Sequence, residues 1–132
     1  MTTATRRAVI EQCAEFSVAC LAAGTLNEYS AHGIRKMSEA LAQHISNGTL
    51  PEPKVTVDGL TYLTFEFDRG DDIFLCVSFG PTPRTKSGYV VHVSGRSTDD
   101  DEWYKFFHEA DADTDISSAI DAGVTTFNKA RA

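Results

Sequence analysis

The sequence predicts an α+β fold in which helices lie mainly on one face of an antiparallel sheet. Three observations carry this expectation. Apolar residues recur every three to four positions as far as Ile45, the period drops to two after Pro51 and Pro53, and the helical period returns after Asp115. With 132 residues, 42% hydrophobic and 23% charged, the chain reads as one domain spanning residues 1–132. A chain of this size buries about two-thirds of its unfolded surface, enough for an unstapled core.

The first helix is read from Val9, Cys13, Phe16 and Cys20, which repeat on one stripe with Ile10, Ala14 and Leu21 beside them. Gly24 is placed to end it as a left-handed cap. Thr25-Leu26-Asn27-Glu28 has the T-x-x-E form of a capping box, and Ile34, Met37, Leu41 and Ile45 form the buried stripe of a second helix closed by Asn47-Gly48. Gly33 lies inside that pattern and costs about 1 kcal/mol relative to Ala, so a start after Ser30 or a break there is the competing reading. A short connection makes the two helices an antiparallel pair.

Four strands follow, about Val55–Val57, Leu60–Phe67, Ile73–Phe79 and Tyr89–Ser94. Their short links require an antiparallel meander. A five-residue loop over Asp68–Asp72 pairs Phe67 with Ile73, Phe65 with Leu75 and Leu63 with Val77, and puts both apolar sets on the core side. A three-residue bulged turn around Gly59 keeps Val55 and Val57 on that side as well. Between the third and fourth strands, Gly80–Gly88 contains two prolines and the bases Arg84 and Lys86, and reads as a projecting basic loop. Ser97, Thr98 and Asp99 offer caps for a short third helix carrying Trp103, Phe106 and Phe107. A fourth helix starts at Asp115 and buries Ile116, Ile120, Val124 and Phe127. The expected order is two helices, a four-stranded meander and two helices.

Charge gives the sharpest functional signal. Residues 99–121 hold nine acids against the single base Lys105, whereas the rest of the chain holds ten acids and eleven bases, so the net charge of -7 is local to one segment. That balance argues against direct nucleic-acid binding, which draws its affinity from released counterions. It suits a protein partner with a basic surface, such as the face a nucleic-acid-binding protein turns to phosphate. The residues assigned to such a contact are Asp99, Asp100, Asp101, Glu102, Trp103, Tyr104, Asp111 and Asp113, carboxylates flanking two aromatic groups. The competing reading is that these carboxylates cap helix N-termini and keep the chain dispersed.

No catalytic constellation emerges. Cys76, His92 and Glu66 share the sheet face opposite the core, and an imidazole-activated thiol is a known nucleophile, but no glycine-rich oxyanion turn accompanies them. No metal or cofactor is expected, since neither C-x-x-C nor H-x-x-x-H occurs. Asp111-x-Asp113-x-Asp115 opens like a calcium loop, yet the glycine and glutamate positions that complete one are Ile116 and Ala122. His32, His44 and His108 have no spaced partners, and Arg69-Gly70-Asp71 reads as a hairpin turn. No apolar run has the length of a membrane span or the continuity of a signal peptide, and three sparse cysteines suit a reducing compartment, so a cytoplasmic location is expected. The leading expectation is a small acidic, non-enzymatic inhibitor, of the physical type of phage anti-defence and immunity proteins. The alternatives are a cytosolic secretion chaperone and, behind it, a small enzyme using the Cys76/His92 face.

Overall fold

A computed structural model describes residues 3–58, 62–97, 106–111 and 115–129. The described elements run α1 (Thr3–Ala22), α2 (Glu28–Ser46), β1 (Pro53–Asp58), β2 (Tyr62–Asp68), β3 (Ile73–Pro81), β4 (Tyr89–Ser97), β5 (Phe106–Asp111) and α3 (Ile116–Lys129). The class is α+β, with five antiparallel strands in the order β1-β2-β3-β4-β5.

In α1, Val9, Cys13, Phe16 and Cys20 are buried as their spacing requires, and Gly24 closes the helix at φ 76°. The cap of α2 differs from the expected Thr25/Glu28 box. Asn27 sits at the N-cap in extended conformation, its side chain accepts the Tyr29 and Ser30 N–H groups, each at 2.9 Å, and the Ser30 hydroxyl accepts the Asn27 N–H at 2.8 Å. Thr25 instead donates to the Cys20 carbonyl at 3.2 Å, and so completes the end of α1. The helix runs unbroken through Gly33, which is buried.

The sheet corrects two expectations. The β2–β3 ladder pairs Phe67 with Leu75, Phe65 with Val77 and Leu63 with Phe79, two residues along from the expected partners. The Arg69 N–H bonds the Ile73 carbonyl at 3.1 Å, which leaves only residues 70–72 outside the ladder, and Asp72 takes the left-handed conformation (φ 64°) that the tight link needs. Because side chains alternate with period two, a slide of two residues preserves the faces. Leu63, Phe65, Phe67, Leu75, Val77 and Phe79 all lie in the core.

The second correction concerns Phe106 and Phe107, which stand in strand β5 rather than in a short third helix. Strand β5 pairs with β4 from Gly95↔Phe106 to Val90↔Asp111. Without it, the nine residues of β4 would offer a long unpaired edge, and satisfying those backbone groups together with the strand preference of aromatic residues outweighs the capping signal. The remainder of the expected short helix, including Trp103, lies outside the described residues. The described chain thus has three helices and five strands.

All three helices pack on one face of the sheet. Phe16 of α1 meets Phe79 edge-on at 6.3 Å, Tyr89 stacks on the same ring at 5.6 Å, and its hydroxyl donates to the Thr25 carbonyl at 3.0 Å. From α3, Ile116, Ile120, Val124 and Phe127 enter the core. Val55 packs against this core, whereas Val57 at the outer edge is 48% exposed. The opposite sheet face carries Tyr62, Thr64, Glu66, Phe74, Cys76, Ser78, His92 and Ser94, all half-buried.

Candidate functional site

The described parts of the acidic segment lie at one margin of the molecule. They are edge strand β5, the residue before α3 and the first turns of α3. Asp99, Asp100, Asp101, Glu102, Trp103, Tyr104 and Asp113 lie outside the described residues, and Asp111 ends β5 opposite Val90.

Each carboxylate that can be followed along this margin has a partner in the chain. Asp111 is half-buried and accepts the Lys86 N–H at 3.0 Å, the Ser87 N–H at 3.4 Å and the Ser87 hydroxyl. The basic loop is therefore folded back rather than projecting. It is closed further by the Thr82 N–H on the Gly88 carbonyl at 2.9 Å and by the Thr85 hydroxyl on the Tyr89 carbonyl at 2.8 Å. Asp115 accepts the Ser118 hydroxyl at 2.6 Å and the Ser118 N–H at 3.3 Å at the start of α3. These bonds, the hydroxyl first, hold its carboxyl below the usual carboxylate range.

Asp121, one turn into α3, receives His44 Nε2 of α2 at 2.6 Å, while His44 Nδ1 lies 2.8 Å from the Thr49 hydroxyl. A carboxylate this close to Nε2 requires a proton on that nitrogen. The Thr49 hydroxyl also lies 3.0 Å from the His44 carbonyl, so it can donate to a neutral Nδ1 or accept from a protonated one while donating to that carbonyl. Asn128 adds a bond to the Thr49 carbonyl at 3.1 Å, tying the end of α3 to the turn after α2. A groove of about 640 Å³ runs beside this cluster between α2 and α3. The pairing joins residues 77 positions apart, and only the helical placement of His44 and Asp121 brings them together.

Arg69 performs a comparable task at the far end of α3. It donates to Asp71 at 2.8 and 2.5 Å and to the Phe127 carbonyl at 2.6 Å, and its guanidinium lies 6.0 Å from the Phe127 ring centre. The Arg69-Gly70-Asp71 tripeptide is a hairpin turn with its two charges paired to each other. Hydrogen bonding to Arg69 keeps the Asp71 carboxyl below its ordinary range.

On the opposite face, the ladder sets Cys76 between Glu66 and Ser94, and His92 opposite Ser78 and Glu109. The Cys76 sulfur lies 3.8 Å from a Glu66 carboxylate oxygen. A carboxylate beside sulfur opposes the negative charge that a nucleophilic thiolate must carry. Cys13 and Cys20 are buried in the core, and burial pushes the Cys13 thiol up to about 11 against a smaller opposing effect of its hydrogen bond with Ser38. Among the described residues, no group of three or more His, Cys, Asp and Glu side chains can hold a metal ion, and no helix is long and apolar enough to cross a membrane.

No family model, curated protein or solved structure matches this chain. A functional reading must therefore come from its own residues.

Proposed function

We propose that the protein is a non-enzymatic binding protein whose acidic segment docks on a basic surface of a partner protein, of the kind that otherwise receives nucleic-acid phosphate. The observation that carries this reading is charge segregation: nine acids against one base over residues 99–121, in a chain otherwise close to neutral. Such a concentration of one sign steers a basic partner and discriminates against acidic ones. The fold supports it in that the described strand of this segment, β5, is the last strand of the sheet, paired on one side with β4.

The tethered acids sharpen the assignment. Asp111, Asp115 and Asp121 hold a loop, a helix start and a helix pair, so the contact itself is assigned to Asp99, Asp100, Asp101, Glu102 and Asp113, with Trp103 and Tyr104 as apolar anchors. Asp111 takes part by holding the folded basic loop at the end of β5. A Cys-His enzyme is the weaker reading, because the Glu66 carboxylate lies beside the Cys76 sulfur.

The test is capture on the immobilised protein from lysate of its native host, with stepwise salt elution. Basic, nucleic-acid-binding proteins retained at low salt, and lost when Asp99, Asp100, Asp101 and Glu102 are neutralised, support the reading. A retained set that neutralisation leaves unchanged contradicts it. Biological activity should survive both Cys76→Ser and His92→Ala, and its loss in both folded variants moves the assignment to an enzyme.

A further inference from the structure

Helix α1 carries two apolar stripes, and only one of them faces the core. On the other side Ile10, Val18 and Leu21 are 42%, 65% and 64% exposed, aligned with Ala14 at helical spacing. Beside this stripe, a groove of about 470 Å³ separates α1 from α2. It is lined from Ile10 to Ser17 on α1 and from Ala31 to Gln43 on α2, so its centre falls at Cys13–Ala14 on one helix and at Met37 on the other.

We infer that this face is the interface of a two-fold dimer, and that its occupant is a second copy of the chain. A two-fold contact must be self-complementary. An axis crossing both helices at the groove centre makes each helix run antiparallel to its own copy, and two independent matches follow. On α1, Ala14 meets Ala14 of the copy and lets the backbones approach, while Ile10 meets Val18 and the stem of Arg7 meets Leu21. On α2, where the solvent ridge consists of Arg35, Glu39 and Gln43, the same axis sets Arg35 against Glu39 and Glu39 against Arg35. One (i, i+4) pair of opposite charges becomes two reciprocal ion pairs. Among the described residues Arg35 has a 3.5 Å contact with His32, and Glu39 a 3.6 Å contact with Lys36, both at the surface and easily exchanged.

The charge balance of the two helices permits the pairing. Residues 3–46 hold four acids (Glu11, Glu15, Glu28, Glu39) and four bases (Arg6, Arg7, Arg35, Lys36), so this is the balanced part of a chain of net charge -7. The two helices therefore bring no net charge of their own to the contact. Two adjacent helices of about 30 Å offer a footprint of about 600 Å² per copy, somewhat below that of a typical stable complex, and association in the micromolar range is expected.

Sedimentation velocity on the full chain, from about 1 to about 300 μM, tests the inference. The wild type should pass from monomer to dimer within that range. Arg35→Glu and Glu39→Arg should each shift the midpoint at least tenfold towards monomer, and the double exchange Arg35→Glu/Glu39→Arg should restore it, because the reciprocal pairs re-form with signs reversed. Leu21→Glu should also yield monomer, with an unchanged circular dichroism spectrum confirming its fold. A wild type that stays monomeric throughout, a higher oligomer, or a double exchange no better than the single changes overturns the inference.

Discussion

The α1–α2 layer and the β5–α3 margin solve opposite problems. In the first, acids and bases balance and apolar spacing decides everything: one stripe of α1 is buried, and the other remains on the surface beside an apolar groove. In the second, charge dominates the sequence, yet Asp111, Asp115 and Asp121 are each committed to a hydrogen bond within the chain. An acidic run therefore includes carboxylates that organise the backbone, and composition alone does not pick them out. The lesson is that charge excess locates a region, whereas hydrogen bonding sorts its members.

The largest expected effect contrasts the two stripes of α1. Phe16→Ala removes a buried ring from against Phe79 and should cost about 3–5 kcal/mol in denaturant unfolding, whereas Leu21→Ala on the exposed side should change monomer stability by less than about 0.5 kcal/mol. Equal losses would show that the two stripes do not differ in burial. Next in size, Asn27→Ala removes the side-chain acceptor of two N–H groups at the α2 start and should cost about 1 kcal/mol, while Thr25→Ala should cost less.

At the acidic margin the effects are smaller and depend on conditions. The lowered Asp115 pKa means that its cap contributes stability above the unfolded value of about 3.9 and loses that contribution as pH falls through the folded value. Thermal melts of the wild type and Asp115→Ala should therefore differ at neutral pH and converge on acidification. A gap that widens in acid would reverse the assigned sign. For Asp111→Ala, release of the 82–88 loop should be visible as faster tryptic cleavage at Arg84 and Lys86 with little change in melting temperature. The smallest signal is chemical. With the Cys13 thiol raised to about 11, about one molecule in a thousand carries its thiolate at pH 8, so native-state alkylation should spare Cys13, and burial alone should slow Cys20, relative to half-buried Cys76.

Elements with a long periodic signal were legible from sequence: the buried stripes of α1, α2 and α3, the apolar faces of β2 and β3, and the glycine stop after α1. What depended on pairing between distant parts was not. Strand β5 was hidden because Asp99–Glu102 resembles a helix start, and its strand character comes from the open edge of β4, which no local window contains. The two-residue slide between β2 and β3 escaped because it leaves every side chain on its expected face. The Asn27/Ser30 cap was in view, but the neighbouring Thr25/Glu28 pair matched the motif more closely. At the candidate site, the acidic excess was plain in the sequence. The commitments of Asp111 to a loop 24 residues away and of Asp121 to a histidine 77 residues away required the fold.

The measurement that bears most directly on the proposed function is the affinity for the captured basic partner, taken by titration calorimetry at low salt for three forms of the protein: wild type, a form with Asp99, Asp100, Asp101, Glu102 and Asp113 neutralised, and a control with Glu11 and Glu15 of α1 neutralised. The acidic-margin variant should bind at least tenfold more weakly and lose most of the salt dependence of the wild type, since exposed charges act over about 10 Å at 0.1 M salt, while the control should bind nearly as the wild type does. Equal affinity of the wild type and the acidic-margin variant would contradict the account and leave those carboxylates with capping and dispersal as their only tasks.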